Sequence, residues 1–106
     1  KNVVILTRDE SYRKDPNGAI KLIRRLYRKY PRLVSQMESR HIRYNQTLDY
    51  ISKGEEEGRI FVIRPSREVT VGRIEKNKEK LLDLYEQGYQ DGEASYQGLK
   101  TFLGLL

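Results

Sequence analysis

The sequence predicts a helix-rich α/β fold with an incomplete β-sheet. Two short, fully apolar segments, Val3–Leu6 and Ile60–Ile63, are typical of strands buried on both faces of a parallel sheet. Three stretches with apolar residues at every third or fourth position indicate amphipathic helices, and two of them lie between the apolar segments. A long helical connection favours a parallel pair with a right-handed crossover. Because two or three strands are marginal alone, we expect them to join other strands or to pair in a homodimer.

The first half of the chain predicts one strand and two helices. The strand is expected at about Asn2–Thr7, and the turn chemistry of Asp15–Gly18 separates it from a helix at about Ala19–Tyr30. Pro31 ends that helix and suits the first turn of the next. The apolar stripe of the first helix contains Ile20, Ile23, Leu26, Tyr27 and Tyr30.

A second, longer helix is expected at about Arg32–Ser52, because its apolar positions recur in alternating steps of three and four. The glycine- and glutamate-rich segment Lys53–Gly58 is expected to close it, with Gly58 at the turn into the next strand. The stripe of this helix contains Val34, Met37, His41, Tyr44, Leu48 and Ile51.

The second half predicts a strand at Ile60–Ile63 and a third helix that Asn77 caps. Between them, the alternating run Val69–Arg73 predicts either an edge strand or an extended loop. Gly88 and Gly92 weaken the third helix, so they indicate either a break or the close approach of another backbone. The predicted apolar stripe consists of Leu81, Tyr85, Gly88, Gly92, Tyr96, Leu99 and Leu103.

Composition limits the functions open to this chain. Its 106 residues suit one domain at most, and the absence of cysteine excludes disulfides, thiolate nucleophiles and Cys-ligated metals. No apolar run approaches the ~20 residues that span a bilayer, so the cytoplasm is the expected location, with a peripheral position at a membrane as an option. No Gly-x-Ser-x-Gly elbow surrounds any serine, and the only histidine, His41, lies on an apolar seam. Asp91 precedes Gly92 but is interpreted as a surface helix residue. We therefore predict no catalytic residue, metal or cofactor.

A cluster of basic residues is the best candidate for binding. The net charge is +6, and tyrosines are interleaved with the basic residues of the first helix. This pattern fits contact with phosphates or lipid headgroups, whereas the alternative is that tyrosines pack while arginines stay solvated. An independent module for anionic lipid or nucleic acid is thus one hypothesis, although no nucleic-acid motif supports the latter. The candidate anion contacts are Arg24, Arg25, Arg28, Lys29 and Arg32.

Several short segments spread along most of the chain form a recognisable series. They are Val3–Arg8, Tyr12–Lys14, Tyr27–Pro31, Arg40-His41, Tyr44-Asn45, Ile60–Ser66, Val71–Arg73 and Leu84–Tyr89. Together, from Val3 to about Gly92, they resemble the C-terminal part of bacterial patatin-like phospholipases. The resemblance depends on the order and spacing of many modest matches.

This resemblance implies a parent enzyme that hydrolyses lipid esters with a Ser–Asp dyad. The family places the serine in a Gly-x-Ser-x-Gly elbow and the aspartate in an Asp-Gly-Gly/Ala motif, and neither has a counterpart here. Asp91-Gly92-Glu93 is not that motif, because it lies on the last predicted helix. The implied role is a non-catalytic C-terminal domain or fragment, residues 1–106, whose partner is a catalytic domain upstream of Lys1. The first strand would then extend the parent's sheet.

Overall fold

The computed structural model describes residues 1–105, which form two strands and three helices. The helix-rich α/β fold and the incomplete sheet are confirmed. The chain divides into two compact units, one of residues 13–53 and the other of residues 1–12 with 54–105. In chain order the elements are β1 (Asn2–Ile5), α1 (Ile20–Leu26), α2 (Pro31–Glu56), β2 (Ile60–Ile63) and α3 (Lys78–Leu103).

The two strands pair in parallel, as the sequence predicts. Asn2 lies opposite Ile60, and Ile5 lies opposite Ile63. The core of this unit lies beside β2, where Ile60 is only 6% exposed. The expectation that β1 is buried on both faces is not met within residues 1–105, since Ile5 is 72% exposed. β2 is its only partner strand in that part of the chain.

Helix α1 is shorter than predicted. It ends at Leu26 instead of Tyr30, and a turn follows in which the Tyr30 N–H donates to the carbonyl of Tyr27 over 2.8 Å. No residue of α1 is buried, although Ile20 and Ile23 are half-buried. The rest of the predicted stripe, Leu26, Tyr27 and Tyr30, is exposed, so no packing within the described residues extends this short helix.

Helix α2 is longer than predicted and continues through Gly54 to Glu56. Gly54 is buried, and a Cβ atom built there would lie 2.5 Å from Cδ1 of Ile60. This glycine therefore allows the strand to approach the helix and does not end it. Gly58 makes the predicted turn, with φ of 73°. The predicted stripe is confirmed as the less exposed face of α2, with Val34 8% exposed.

Helix α3 begins with the predicted cap, in which Oδ1 of Asn77 accepts hydrogen bonds from the N–H groups of Glu79 (3.0 Å) and Lys80 (3.3 Å). It runs unbroken through Gly88 and Gly92, and no atom lies within 4 Å of a Cβ built at either position. The expected break and close backbone approach at these glycines are therefore wrong for residues 1–105. A close approach occurs instead at Gly98, where a Cβ would lie 3.3 Å from the Phe61 ring.

The predicted apolar stripe of α3 is largely exposed. Tyr85 and Tyr96 are 69% and 55% exposed, whereas Gln87, on a different face, is only 7% exposed. The inward face of α3 is instead half polar, and hydrogen bonds to the loop after β2 hold it in place. The less exposed residues of α3 are Leu84, Gln87, Asp91, Ser95, Leu99, Lys100 and Phe102.

The run Val69–Arg73 forms an extended loop, the second of its two predicted alternatives. Nη1 of Arg8 donates to the Val69 carbonyl over 3.3 Å, which holds the loop near the segment after β1. Among residues 1–105, no helix is both long enough and apolar enough to cross a lipid bilayer.

Candidate functional site

Four of the five predicted anion contacts form one exposed basic cluster. Arg25 lies in the last turn of α1, Arg28 and Lys29 lie in the turn after it, and Arg32 opens α2. All four are exposed, and none of their side chains forms an ion pair or hydrogen bond with another described residue. Together with the exposed Lys21, these residues are called the basic surface below. Their positive charge is therefore available to a partner.

The fifth predicted contact, Arg24, is already engaged. Its Nε donates to Oε1 of Glu38 on α2, and this hydrogen bond, with the charge of Glu38, raises the pKa of Arg24 above its ordinary value. The pair is exposed, so it adds little stability. Its effect is to direct Arg24 toward α2 and away from the basic surface.

The segment before α1 is attached to α2 by an amide side chain. Oδ1 of Asn45 accepts from the backbone N–H of Lys14 over 2.8 Å, and Nδ2 of Asn45 donates to the Lys14 carbonyl over 3.0 Å. Arg13 adds an ion pair with Asp49 at 2.7 Å. Because Asn45 satisfies both backbone groups of Lys14, the chain leading into α1 has a defined path along α2.

The tyrosines divide between packing and exposure. Tyr44 lies beneath the ammonium group of Lys14, at 5.4 Å from the ring centroid, and Tyr12 lies near the Arg8 guanidinium at 5.0 Å. Tyr27 and Tyr30, next to the basic surface, are 42% and 61% exposed. The interpretation in which tyrosines pack and arginines stay solvated therefore fails for these two.

The hydroxyl groups of Ser39 and Ser95 donate to helix carbonyls four residues earlier, each over 2.9 Å. Such bonds are common for serine within helices and do not activate a nucleophile. His41 is half-buried on α2, and its Nδ1 atom has no hydrogen-bond partner among the described residues. The described geometry gives neither serine a base.

A polar arrangement that sequence reasoning missed joins α3 to the loop after β2. Asp83, Gln87 and Asp91 lie four residues apart on one face of α3, and they bind Ser66 and Arg67 of the loop. These five residues are called the loop clasp below. The four-residue spacing of polar groups was the only signal in the sequence.

The bonds of the loop clasp are reciprocal. Nε of Arg67 donates to Oε1 of Gln87 over 2.8 Å, and Nε2 of Gln87 donates to the Arg67 carbonyl over 3.4 Å. Nη2 of Arg67 donates to Oδ2 of Asp83 over 3.1 Å, and the Ser66 N–H donates to Oδ2 of Asp91 over 2.9 Å. Asp91 is half-buried in this network, so its interpretation as a plain surface residue is wrong.

A small cavity of about 110 Å³ lies at the carboxyl ends of β1 and β2, beside the loop clasp. In open parallel sheets this edge is the usual place for a ligand. The volume is well below the ~300 Å³ at which small-molecule pockets begin, however. The cavity walls include Leu6, Arg64, Pro65 and Leu84. We interpret this edge as a structural junction that positions the loop.

Arg64 reinforces the same junction from β2. Its Nη1 and Nη2 atoms each lie 3.1 Å from Oε1 of Glu55, and its side chain is 18% exposed. A half-buried, forked arginine–carboxylate pair of this kind is stronger than a surface ion pair. It connects the end of α2 to the start of the loop that carries the clasp.

We expect the Asp91→Asn variant to be less stable than the native chain at neutral pH. The hydrogen bonds from Ser66 lower the pKa of Asp91 below its ordinary value of 3.8, so the ionised carboxylate stabilises the folded state. That stabilisation is present above pH 3.8 and is lost as the pH falls through the lower folded-state pKa. For a partly exposed group it amounts to about 1 kcal/mol or less.

Urea unfolding of both proteins over a series of pH values measures this effect. The difference in unfolding free energy should be largest at neutral pH and should shrink below pH 3.8. Asp15→Asn, at an exposed aspartate of the other unit whose side chain has no ion pair or hydrogen bond among the described residues, controls for the loss of one charge. A difference that stays constant down to strongly acidic pH would contradict a role for the ionised carboxylate.

A family model described as "Domain of unknown function (DUF6363)" matches residues 30–104. The match contains α2, β2, the loop clasp and α3, and it leaves β1 and α1 outside. No curated protein and no solved structure matches the chain. Because the matched region covers well over half of its length, the chain belongs to the DUF6363 family.

Proposed function

We propose that this chain is the non-catalytic C-terminal segment of a patatin-like serine acyl hydrolase. The intact protein would hydrolyse lipid esters with a Ser–Asp dyad in a catalytic domain upstream of Lys1. The observation that carries this proposal is the open sheet: Val3, Val4 and Ile5 of β1 are all apolar, yet the strand has one partner strand within residues 1–105. The resemblance of Val3 to about Gly92 to patatin-like phospholipases supports the choice of this class of enzyme.

An apolar strand with a free edge is a ready surface for strand addition. Parallel sheets occur almost only where both faces are covered, and a two-stranded sheet is marginal by itself. In the described chain Val3 is 40% exposed and Ile5 is 72% exposed. A neighbouring strand and a covering helix from the hydrolase domain would bury both residues, which gains the free energy of apolar burial.

The exposed face of α3 supports the same role. Tyr85, Tyr89 and Tyr96 are 69%, 62% and 55% exposed, and Tyr89 and Tyr96 border a shallow groove floored by Gly88 and Gly92. Large exposed apolar faces mark surfaces that contact other protein. In the proposed enzyme this face of α3 contacts the catalytic domain, while the loop clasp holds the opposite side.

The coding sequence upstream of Lys1 provides the direct test. We expect it to encode a Gly-x-Ser-x-Gly elbow and, nearer to Lys1, an Asp-Gly-Gly or Asp-Gly-Ala motif. The longer polypeptide should hydrolyse p-nitrophenyl acyl esters, and replacement of the elbow serine by alanine should abolish this turnover. The 106-residue chain alone, assayed in parallel, should show none. Absence of both motifs, or serine-dependent turnover by the 106-residue chain, would overturn the proposal.

The proposed pairing of β1 with the sheet of the hydrolase domain can be tested separately in the longer polypeptide. Ile5→Lys should leave the unfolding of the 106-residue chain almost unchanged, because this side chain is 72% exposed there. In the longer polypeptide the same change should lower Tm and ester turnover, since a buried lysine would carry an unpaired charge. Ile74→Lys, at an 85% exposed residue outside the sheet, is the matched control. Equal effects of the two variants would argue against docking through β1.

A further inference from the structure

The outer face of α1 carries two neighbouring rows of different chemistry. Leu22 and Leu26 are four residues apart and therefore form one row, with 57% and 66% of each residue exposed. Lys21 and Arg25, also four apart and exposed, form the adjacent row. An apolar row beside a basic row is the arrangement by which amphipathic helices lie at the interface of a membrane.

The same combination continues beyond the end of α1. Tyr30 and Leu33 are 61% and 47% exposed, and they alternate along the chain with the basic residues Arg28, Lys29 and Arg32. Tyrosine and long basic side chains are well suited to the headgroup layer, since each has an apolar body and a polar tip. These exposed apolar residues and the basic surface all lie within residues 13–53, so one compact unit presents them.

We propose that this face, which we call the α1 face, docks peripherally on an anionic lipid surface. Lys21, Arg25, Arg28, Lys29 and Arg32 would contact the phosphate headgroups, while Leu22 and Leu26 enter the boundary with the acyl chains. The charge of the basic surface is complementary to anionic lipid, and four of its members lack a partner among residues 1–105. This inference does not depend on the proposed hydrolase role, because it concerns binding by the chain itself.

The exposed leucines favour lipid over nucleic acid. A phosphodiester backbone attracts the same basic residues, but it offers nothing that would bury two adjacent leucines. Binding to an anionic membrane gains from both basic charge and buried apolar area. Each Lys or Arg near the anionic surface increases partitioning onto the membrane about fivefold. Lipid binding should therefore require both rows, whereas nucleic acid binding should require only the basic one.

Sedimentation of the 106-residue chain with vesicles tests the proposal. Vesicles of phosphatidylcholine with phosphatidylserine should bind the chain, pure phosphatidylcholine vesicles should bind it far less, and added salt should weaken binding. The double variant Lys21→Glu/Arg25→Glu should lose at least about 25-fold in partitioning. Lys76→Glu/Lys78→Glu, which makes the same change in charge at exposed positions of the other unit, should lose much less.

A second pair of variants tests the apolar row. Leu22→Ser/Leu26→Ser should weaken binding to the anionic vesicles by about tenfold for each leucine, at unchanged net charge. The control is Leu81→Ser/Leu82→Ser on α3, where the two leucines are 44% and 54% exposed. Because all four leucines are exposed, far-UV circular dichroism should show that every variant keeps its helices.

Four results would contradict docking of the α1 face on anionic lipid. Equal losses in Lys21→Glu/Arg25→Glu and in its control Lys76→Glu/Lys78→Glu would show that net charge, and not this face, drives association. A leucine variant that binds vesicles as well as the native chain would overturn the proposal. So would a single-stranded oligonucleotide that binds more tightly than anionic vesicles and responds only to Lys21 and Arg25. Loss of vesicle binding in the longer polypeptide would show that protein, and not lipid, covers the α1 face.

Discussion

The variant Gly54→Val is expected to lose about 3 kcal/mol of unfolding free energy, the upper end of the usual cost of overpacking. Gly54 is buried in α2, where a Cβ atom would lie 2.5 Å from Cδ1 and 2.9 Å from Cγ1 of Ile60. Ile60 is 6% exposed, so its side chain has little room to turn away. Since Ile60 opens β2, the strain would also disturb the pairing of the two strands.

Urea or thermal unfolding of a short variant series measures this contact. Gly54→Ala gains about 1 kcal/mol in helix propensity but meets the same two atoms, so we expect a net loss. Gly92→Ala, also within a helix but with no atom within 4 Å, should instead gain about 1 kcal/mol. If both alanine variants stabilise equally, the close approach at Gly54 is not energetically important.

A second-site change makes the test specific to this contact. Ile60→Val removes Cδ1, the atom nearest to the added Cβ. It should cost about 1 kcal/mol in the native background and less beside Gly54→Ala, because the clash is relieved. Additive effects in the double variant would mean that the two positions do not interact, which would contradict the geometry.

The second large effect is expected at Gln87, which is 7% exposed and central to the loop clasp. Gln87→Ala should destabilise the chain by about 2 kcal/mol, because it removes a buried side chain together with the donor to the Arg67 carbonyl and the acceptor for the Arg67 guanidinium. Arg67 itself can turn to water, since its side chain is 59% exposed. The substitution should therefore mainly weaken the attachment of the loop to α3.

Limited trypsin digestion and amide hydrogen exchange report that attachment directly. Cleavage after Arg67 and Arg73 should be faster in Gln87→Ala, and exchange should accelerate in the loop between β2 and α3 before it does in the middle of α3. Gln87→Leu, which keeps the volume but not the hydrogen bonds, should behave similarly. Gln90→Ala, at an exposed position of α3, is the control. Unchanged cleavage in Gln87→Leu would assign the effect to packing instead of hydrogen bonds.

Only part of the candidate site could be predicted from the sequence. Arg25, Arg28, Lys29 and Arg32 could be recognised from the sequence, because exposed charge follows directly from a local cluster of basic residues. The diversion of Arg24 could not, since its partner Glu38 lies 14 residues away. The loop clasp was missed for the same reason, because Asp91 and Ser66 are 25 residues apart and no local pattern couples them.

Elements with local causes could be predicted from the amino-acid sequence. The uninterrupted apolar run at Ile60–Ile63, the cap at Asn77, the turn at Gly58 and the apolar seam of α2 were all predicted from neighbouring residues. The order of two apolar strands with helices between them was enough to predict parallel pairing, because a long connection allows the chain to return to the same end of the sheet.

Two features could be found only from the three-dimensional structure: the continuation of α2 through Gly54 and the face of α3 that is buried. Each of these depends on a partner distant in sequence: Gly54 on Ile60, and the inward face of α3 on Ser66 and Arg67. Of the apolar stripe predicted for α3, only Leu99 lies on the less exposed face, since hydrophobic periodicity counts apolar residues and ignores polar ones with distant partners. The buried Gln87, whose side chain makes two hydrogen bonds with Arg67, lies on the inward face that such a count overlooks.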